Sequence, residues 1–426
     1  MLSNFKVLKK RSNVDKDRKA LVSNFGYLTI LQIASYIFPL LTMPYLARVI
    51  GVDGFGKIAF AAAVMVWVQT VVDWGFNYTA TRDLAQNRDN SVKVSEIFST
   101  VLWAKLFLMI FMSLLIICLT YTIPFFSENK AILFASFLVI PGQILLSDWF
   151  FQALERMKFI TIFSLISKFI FTGCIFIFIK EKEDFILQPI LYGMCSMIVG
   201  FFAIYKIVYQ WKVKIIKPNF HIIKIALKNS FDVFINSLLP NLYNSFSIVL
   251  LGIWGGSIAN GIYDAGRKFI GISHSFMAIF IRVFFPYLSR NIEKHSIFAK
   301  IHLSIAALGS VILFVTAPYL IKLFFNEDFY EAITVLRISS ISIFLIALSN
   351  VYGTNYLIIK GYTKELRNIT FIYSLLGFVV AIPLVYFFSY IGANITLVFI
   401  QALLGLTIML KAMGIQNKEL SLNKGK

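Results

Sequence analysis

The chain has 426 residues, 58% of them apolar or aromatic and only 14% charged, with a formal net charge of +19. Soluble domains run near 45–50% apolar and about 25% charged, and the mean hydropathy here is +0.78, so an ordinary soluble enzyme and a disordered chain are both excluded. With hydrophobic spans of about 20 residues as the unit, this length holds about a dozen, and the chain reads as an all-α polytopic membrane protein.

In chain order, residues 1–23 form a basic arm carrying seven Lys and Arg. The arm lacks the short apolar core and small-residue cleavage site of a signal peptide. Apolar runs then predict twelve helices: 24–49, 57–79, 96–120, 131–153, 159–180, 186–206, 231–253, 259–288, 297–323, 332–353, 366–388 and 391–411. They divide into an N-lobe (24–206), a linker (207–230), a C-lobe (231–411) and a tail (412–426). The basic linker carries Pro218 and apolar residues at helical spacing; it reads as an interfacial amphipathic segment or as a plain positively charged loop.

Alternate connections differ sharply in charge. Those on the side of the N-terminus hold 28 Lys and Arg and those on the other side 5, which places both termini in the cytoplasm. The +19 is thereby explained by topology and attraction to anionic lipid heads, and nucleic acid drops out as a partner.

Span 1 ends in RVIGVDGFGKIAF and span 7 in LGIWGGSIANGIYDAGRKF, each a glycine-rich turn entering the next span. This echo points to two pseudo-symmetric six-helix bundles related by a parallel repeat. Gly51–Lys57 fits the spacing of a phosphate-binding loop, but Ile58 stands where Ser or Thr must ligate magnesium. A tight turn is the better reading, and direct ATP hydrolysis is not expected. Cys118, Cys174 and Cys195 lie in apolar runs, and the four histidines have no metal-ligand spacing; no metal or cofactor is expected.

Seven bases (Arg48, Lys105, Lys168, Arg267, Lys268, Arg282, Arg337) and four acids (Asp73, Asp148, Asp232, Asp264) fall inside spans. Each ionised group costs about 2.5–3.5 kcal/mol at bilayer depth. Arg48, Asp148, Asp232 and Arg282 lie near span ends, where a long side chain reaches the interface. Lys105, Lys168, Arg267 and Lys268 lie deeper, and Arg337 about a turn from the outer end; these need a partner or a hydrated cavity. On span 8, Asp264, Arg267, Lys268, Gly271, His274, Ser275, Ala278 and Arg282 share a stripe about 120° wide at 100° per residue. A helix lining an aqueous lumen is expected, with an internal ion pair from Asp264 to Arg267 or Lys268 as the alternative. Bases outnumber acids, so the central cavity should be cationic and its cargo anionic.

The segments YLARVIGVDGFGKIAFA (45–61), VVDWGFNYTATRDLA (71–85), DWFFQALERM (148–157), LPNLYNSFSIVLLGIWG (239–255) and GIYDAGRKFIGISHSFMAIFIRVFFPYLSR (261–290) resemble the O-antigen flippases, or polysaccharide repeat-unit transporters, over essentially the whole chain. They form part of the multidrug, oligosaccharidyl-lipid and polysaccharide exporter superfamily. The resemblance implies a bacterial inner-membrane flippase that moves an undecaprenyl-diphosphate-linked oligosaccharide to the periplasmic leaflet by alternating access coupled to protons or sodium ions. It implies no enzymatic activity. The polysaccharide polymerase and chain-length regulator are its candidate protein partners. Arg267, Lys268, Lys168, Lys105, Arg282 and Arg337 are the expected anion contacts, and Asp73, Asp264 and His274 the expected ion-coupling groups. Alternative readings within the superfamily are an exopolysaccharide or capsule flippase, a lipid-II-type flippase and a multidrug antiporter.

Overall fold

The computed structural model describes the backbone of residues 2–424 and the side chains of residues 23–418 other than Phe25, Ile279, Arg282, Val283 and Pro286. Regular structure within them is helical throughout. Nine of the described helices are long and apolar enough to cross a membrane.

Two of the nine, Gly26–Gln86 with 61 residues and Thr363–Lys418 with 56, measure about 90 and 80 Å at about 1.5 Å per residue, against a hydrocarbon core of about 30 Å. Both are broken. The first kinks at Gly51 (φ 67°, ψ −178°) and the last at Ser389 (φ 51°, ψ −132°). The Ser245–Leu288 helix kinks in turn at Gly256 (φ 77°, ψ −179°). A positive φ with ψ near 180° is essentially closed to residues with a Cβ, which is why glycine stands at both of these kinks. The count falls below the twelve runs read from the sequence because runs 1 and 2 and runs 11 and 12 are each continuous through a kink. Run 7 is cut at Leu239–Leu242, where Pro240 removes a backbone donor, and its remainder continues into run 8.

The chain folds as two compact units. One comprises Met1–Tyr45, Val68–Lys180 and Ile186–Ile235. Its core gathers Phe76, Leu84, Phe98, Trp149, Phe150, Phe151, Ile160 and Ile207; the DWFF segment supplies three of these aromatic rings. Phe98 meets Phe150 edge-on at 5.0 Å, and Phe151 meets Trp211 at 5.5 Å. The expected linker is no free connection. Residues 211–219 run as an extended strap along the Ser91–Thr122 helix. Lys214 N–H donates to Ser95 Oγ (3.1 Å), Ile216 N–H donates to Ser99 Oγ (2.8 Å), Ser99 Oγ donates to the Lys214 carbonyl (3.1 Å), and Trp103 Nε1 donates to the Ile216 carbonyl (2.9 Å). Residues 95, 99 and 103 repeat every four positions and so share one helix face. Asn219 then caps the Phe220–Leu238 helix through His221 N–H and Ile222 N–H. That helix docks on the first half: Trp74 stacks on Phe234 at 4.1 Å, and Thr79 and Ser230 share a 2.7 Å hydrogen bond. The unit therefore closes after Ile235, beyond the boundary expected from charge and Pro218.

The second unit comprises Leu46–Trp67, Glu181–Phe185 and Asn236–Lys426. Here the two glycine-rich turns meet. A Cβ added to Gly56 would lie 1.7 Å from the Ser257 carbonyl oxygen, and one added to Gly261 would lie 2.3 Å from that of Val52. Residues 51, 52 and 56 thus answer 256, 257 and 261 at a constant offset. Lys57 pairs with Asp53 at 2.7 Å, Ser257 Oγ also donates to Asp53, and Phe55 packs edge-on against Phe325 and Phe329 at 5.9 and 5.6 Å. Farther along, the Ser342–Leu348 helix widens into a π-helical stretch at Ser349–Ile358, a distortion that frequently marks functional sites.

Candidate functional site

The second unit contains a cavity of about 630 Å³ whose lining includes Asn244, Arg267, His274, Asn350, Thr354 and Gln401. Three features of the sequence make it. The break at Leu239–Leu242 turns the chain just before Tyr243–Ser245, the π-helical stretch shifts Ser349, Asn350 and Thr354 in register, and the last long helix contributes Thr370 and Gln401.

Arg267 supplies the charge. Its Nη1 donates to the Tyr263 hydroxyl at 3.0 Å, and its guanidinium carbon stands 5.3 Å from the centre of the Tyr263 ring. Its Nε is buried with no hydrogen-bond partner among the described residues, and so is Gln401 Oε1 across the same lining. His274 Nε2 lies 3.4 Å from Ser342 Oγ. A guanidinium with no acid partner among the described residues, beside amide and hydroxyl groups of the same lining, can hold an oxyanion bearing hydroxyl groups.

The remaining candidates fall elsewhere. Lys268 pairs with Asp264, four residues before it, at 2.7 Å, and its ammonium lies 5.7 Å from the centre of the Phe55 ring. Of the two partners the sequence allowed Asp264, the structure thus selects Lys268 and leaves Arg267 to the cavity. Arg337 is exposed, 5.5 Å over the Phe314 ring. The Arg282 side chain lies outside the described residues.

In the first unit, Lys105 is 4% exposed and its ammonium meets Asp73 Oδ1 at 2.8 Å and Asn77 Oδ1 at 3.3 Å. Gln69 Nε2 donates to the other Asp73 oxygen at 2.9 Å. Asp148 lies within electrostatic range of both Lys105 and Asp73, although its position near a span end suggested an interfacial role. Lys168 is half-buried and shows no hydrogen bond or ion pair among the described residues. Of the charges read inside spans, Asp73–Lys105 and Asp264–Lys268 form ion pairs, whereas Lys168, Arg267 and Arg337 have no ion-pair partner among the described residues.

Sequence reasoning centred on charges and passed over the uncharged polar groups. Gln69, Asn77, Asn244, Asn350 and Gln401 all interrupt apolar runs. A buried amide needs partners as a buried hydroxyl does, so the interruptions themselves were the available signal.

Residues 21–292 match the family described as "Polysaccharide biosynthesis protein". A protein of Escherichia coli (strain K12) named "Putative O-antigen transporter" is 29% identical over 398 residues, which span 92% of this chain and 96% of that protein. Among solved structures, the lipid II flippase MurJ in an inward closed conformation superposes with a TM-score of 0.70 at 16% identity, covering 92% of this chain and 87% of the other. An inward-facing multidrug-resistance transporter of the MATE family, in the MOP superfamily, gives a TM-score of 0.65 at 14% identity over 93% and 95% of the two chains. The family match spans more than half of the sequence, and the two structures share the fold: the chain is a multi-pass membrane protein belonging to the polysaccharide biosynthesis protein family.

Proposed function

We propose that the protein is a transporter rather than an enzyme, and that it moves O-antigen or related polysaccharide repeat units on an undecaprenyl-diphosphate carrier from the cytoplasmic to the periplasmic leaflet of a bacterial inner membrane. The E. coli relative's name supports the cargo class, and the superfamily fold supports alternating access. The reading takes twelve spans in two six-helix halves, both termini in the cytoplasm, with the kinks at Gly51, Gly256 and Ser389 dividing the long helices. The matching turns at 51–56 and 256–261 support a parallel repeat of those halves.

One observation carries the assignment: Arg267, with no ion-pair partner among the described residues, lines a cavity of about 630 Å³ that also presents Asn244, Asn350, Thr354 and Gln401. An unpaired charge at bilayer depth marks a substrate or ion path, and a diphosphate or acidic sugar supplies the counter-charge. Lys168 is the second candidate anion contact. The Asp73–Lys105 and Asp264–Lys268 pairs are candidate coupling sites, where a proton or sodium ion taken by the acid releases its base.

The test is flipping of a diphosphate-linked repeat unit in proteoliposomes. Arg267→Gln should lower the rate about tenfold or more, the worth of a charge-assisted hydrogen bond, with the melting temperature unchanged. Transport should stop when proton and sodium gradients are collapsed and persist without ATP. Full activity of Arg267→Gln, or a requirement for ATP, would overturn the reading.

A further inference from the structure

The polar groups around the Arg267 cavity are unevenly divided between charged and neutral. Among the described residues that line it, Arg267 is the only one that stays charged at neutral pH and no carboxylate is present, while Asn244, Asn350, Thr354 and Thr370 supply amides and hydroxyls. His274 adds no fixed charge, since a histidine has an ordinary midpoint of about 6.5 and is mostly neutral at pH 7. A single cation among groups that recognise hydroxyls is what requires an explanation.

Arg267 is half-buried, and its guanidinium can be approached along one edge. Nε has no exposed surface, and Nη1 already gives one hydrogen to the Tyr263 hydroxyl at 3.0 Å. That leaves the outer edge, Nη1 with Nη2, a fork that matches the two oxygens of one carboxylate. Asn350 and Thr354 stand four positions apart on the π-helical stretch, half-buried and with no side-chain hydrogen bond among the described residues. Asn244 Nδ2 donates to the Pro240 carbonyl at 3.0 Å, which leaves its Oδ1 to accept. Amides and hydroxyls of this kind answer a sugar hydroxyl both as donors and as acceptors.

We propose that this cavity receives a sugar of the repeat unit and not its diphosphate, and that the sugar is acidic, with its carboxylate on the Nη1–Nη2 edge of Arg267 and its hydroxyls on Asn244, Asn350 and Thr354. The assignment rests on the transporter reading above and names the part of that cargo which the site recognises. Charge count decides between the two anions. A diphosphate ester carries a negative charge on each phosphate, and one guanidinium would leave the second unmatched in a low-dielectric site, where an unmatched ion is costly. A sugar carboxylate carries a single charge, which Arg267 balances. A neutral sugar would leave Arg267 itself without a counter-charge, so the site discriminates against it, as polar sites do against ligands lacking the group they are built to hold.

The experiment uses the full-length protein in proteoliposomes and two undecaprenyl-diphosphate trisaccharides that differ only in whether the terminal sugar is glucuronate or glucose. The parent protein should flip the glucuronate unit about tenfold or more faster than the glucose unit, the worth of a charge-assisted hydrogen bond. Arg267→Gln should erase that preference by slowing the glucuronate unit alone, and continued flipping of the glucose unit then reports that the variant is folded. Arg267→Lys, which keeps the charge but loses the fork, should retain part of the preference. Thr354→Val should slow both units about fivefold, the worth of one neutral hydrogen bond. Equal rates for the two units in the parent protein would overturn the proposal. So would an equal slowing of both by Arg267→Gln, the signature of a diphosphate on Arg267, which would leave the transporter reading standing. Failure of the parent protein to flip either unit would overturn that reading and this proposal with it.

Discussion

Replacing Lys105 by Met removes the only basic partner that the described residues give Asp73. The Nζ–Oδ1 distance of 2.8 Å corresponds to a gross attraction of about 6 kcal/mol at an effective dielectric of about 20. Most of that offsets desolvation, and breaking buried pairs by removing one partner costs about 3–5 kcal/mol. Asp73 retains 22% side-chain exposure and the amide of Gln69, which places Lys105→Met at the lower end, about 3 kcal/mol. Asp73→Asn strands the ammonium instead and should cost a similar amount. The double variant Lys105→Met with Asp73→Asn leaves no charge at the pair and keeps an acceptor for Gln69, so it should recover most of the loss. Thermal melting in detergent, followed by size-exclusion fluorescence of a tagged chain, measures all three. A single variant that melts with the parent protein, or a double variant no more stable than either single one, would refute the argument that this pair is buried and mutually dependent.

Gly56→Ala should destabilise by at least about 1–3 kcal/mol through overpacking, because its Cβ would sit 1.7 Å from the Ser257 carbonyl oxygen; Gly173→Ala, with nothing within 4 Å, should leave the melting temperature unchanged. Loss of the strap's anchor in Ser99→Ala removes two hydrogen bonds and should cost about 1–3 kcal/mol in the same measurement. Neutralising the pair with Asp264→Asn and Lys268→Gln together should leave the melting temperature of the parent, whereas Asp264→Asn should not rescue flipping by Arg267→Gln. Single cysteines at Ser127, Asn326 and Ser389 should react with impermeant reagents from outside and those at Asn87, Asn219 and Asn291 from inside; reactivity of the Asn219 cysteine from outside would break the assignment of both termini to the cytoplasm.

Much of this protein is fixed by one-dimensional properties of its sequence. Hydropathy and length dictate helices, because in lipid every backbone group must be satisfied within its own segment, and the asymmetry of Lys and Arg predicts an orientation without reference to any contact. The glycines at 51 and 256 were legible too, since a turn that needs positive φ admits little else. Pairing was not legible. Asp264 lies within one helical turn of both Arg267 and Lys268, and periodicity alone allowed either; the fold gives the acid to Lys268 and turns Arg267 toward Tyr263 and the cavity. Asp73 and Lys105 are 32 positions apart, and only helix packing brings them together. The strap at residues 211–219 was beyond composition as well, because its hydrogen bonds reach back to Ser95 and Ser99. Burial in hydrocarbon is a property each segment carries by itself, whereas neutralising a charge requires a second group whose position is set by the tertiary structure.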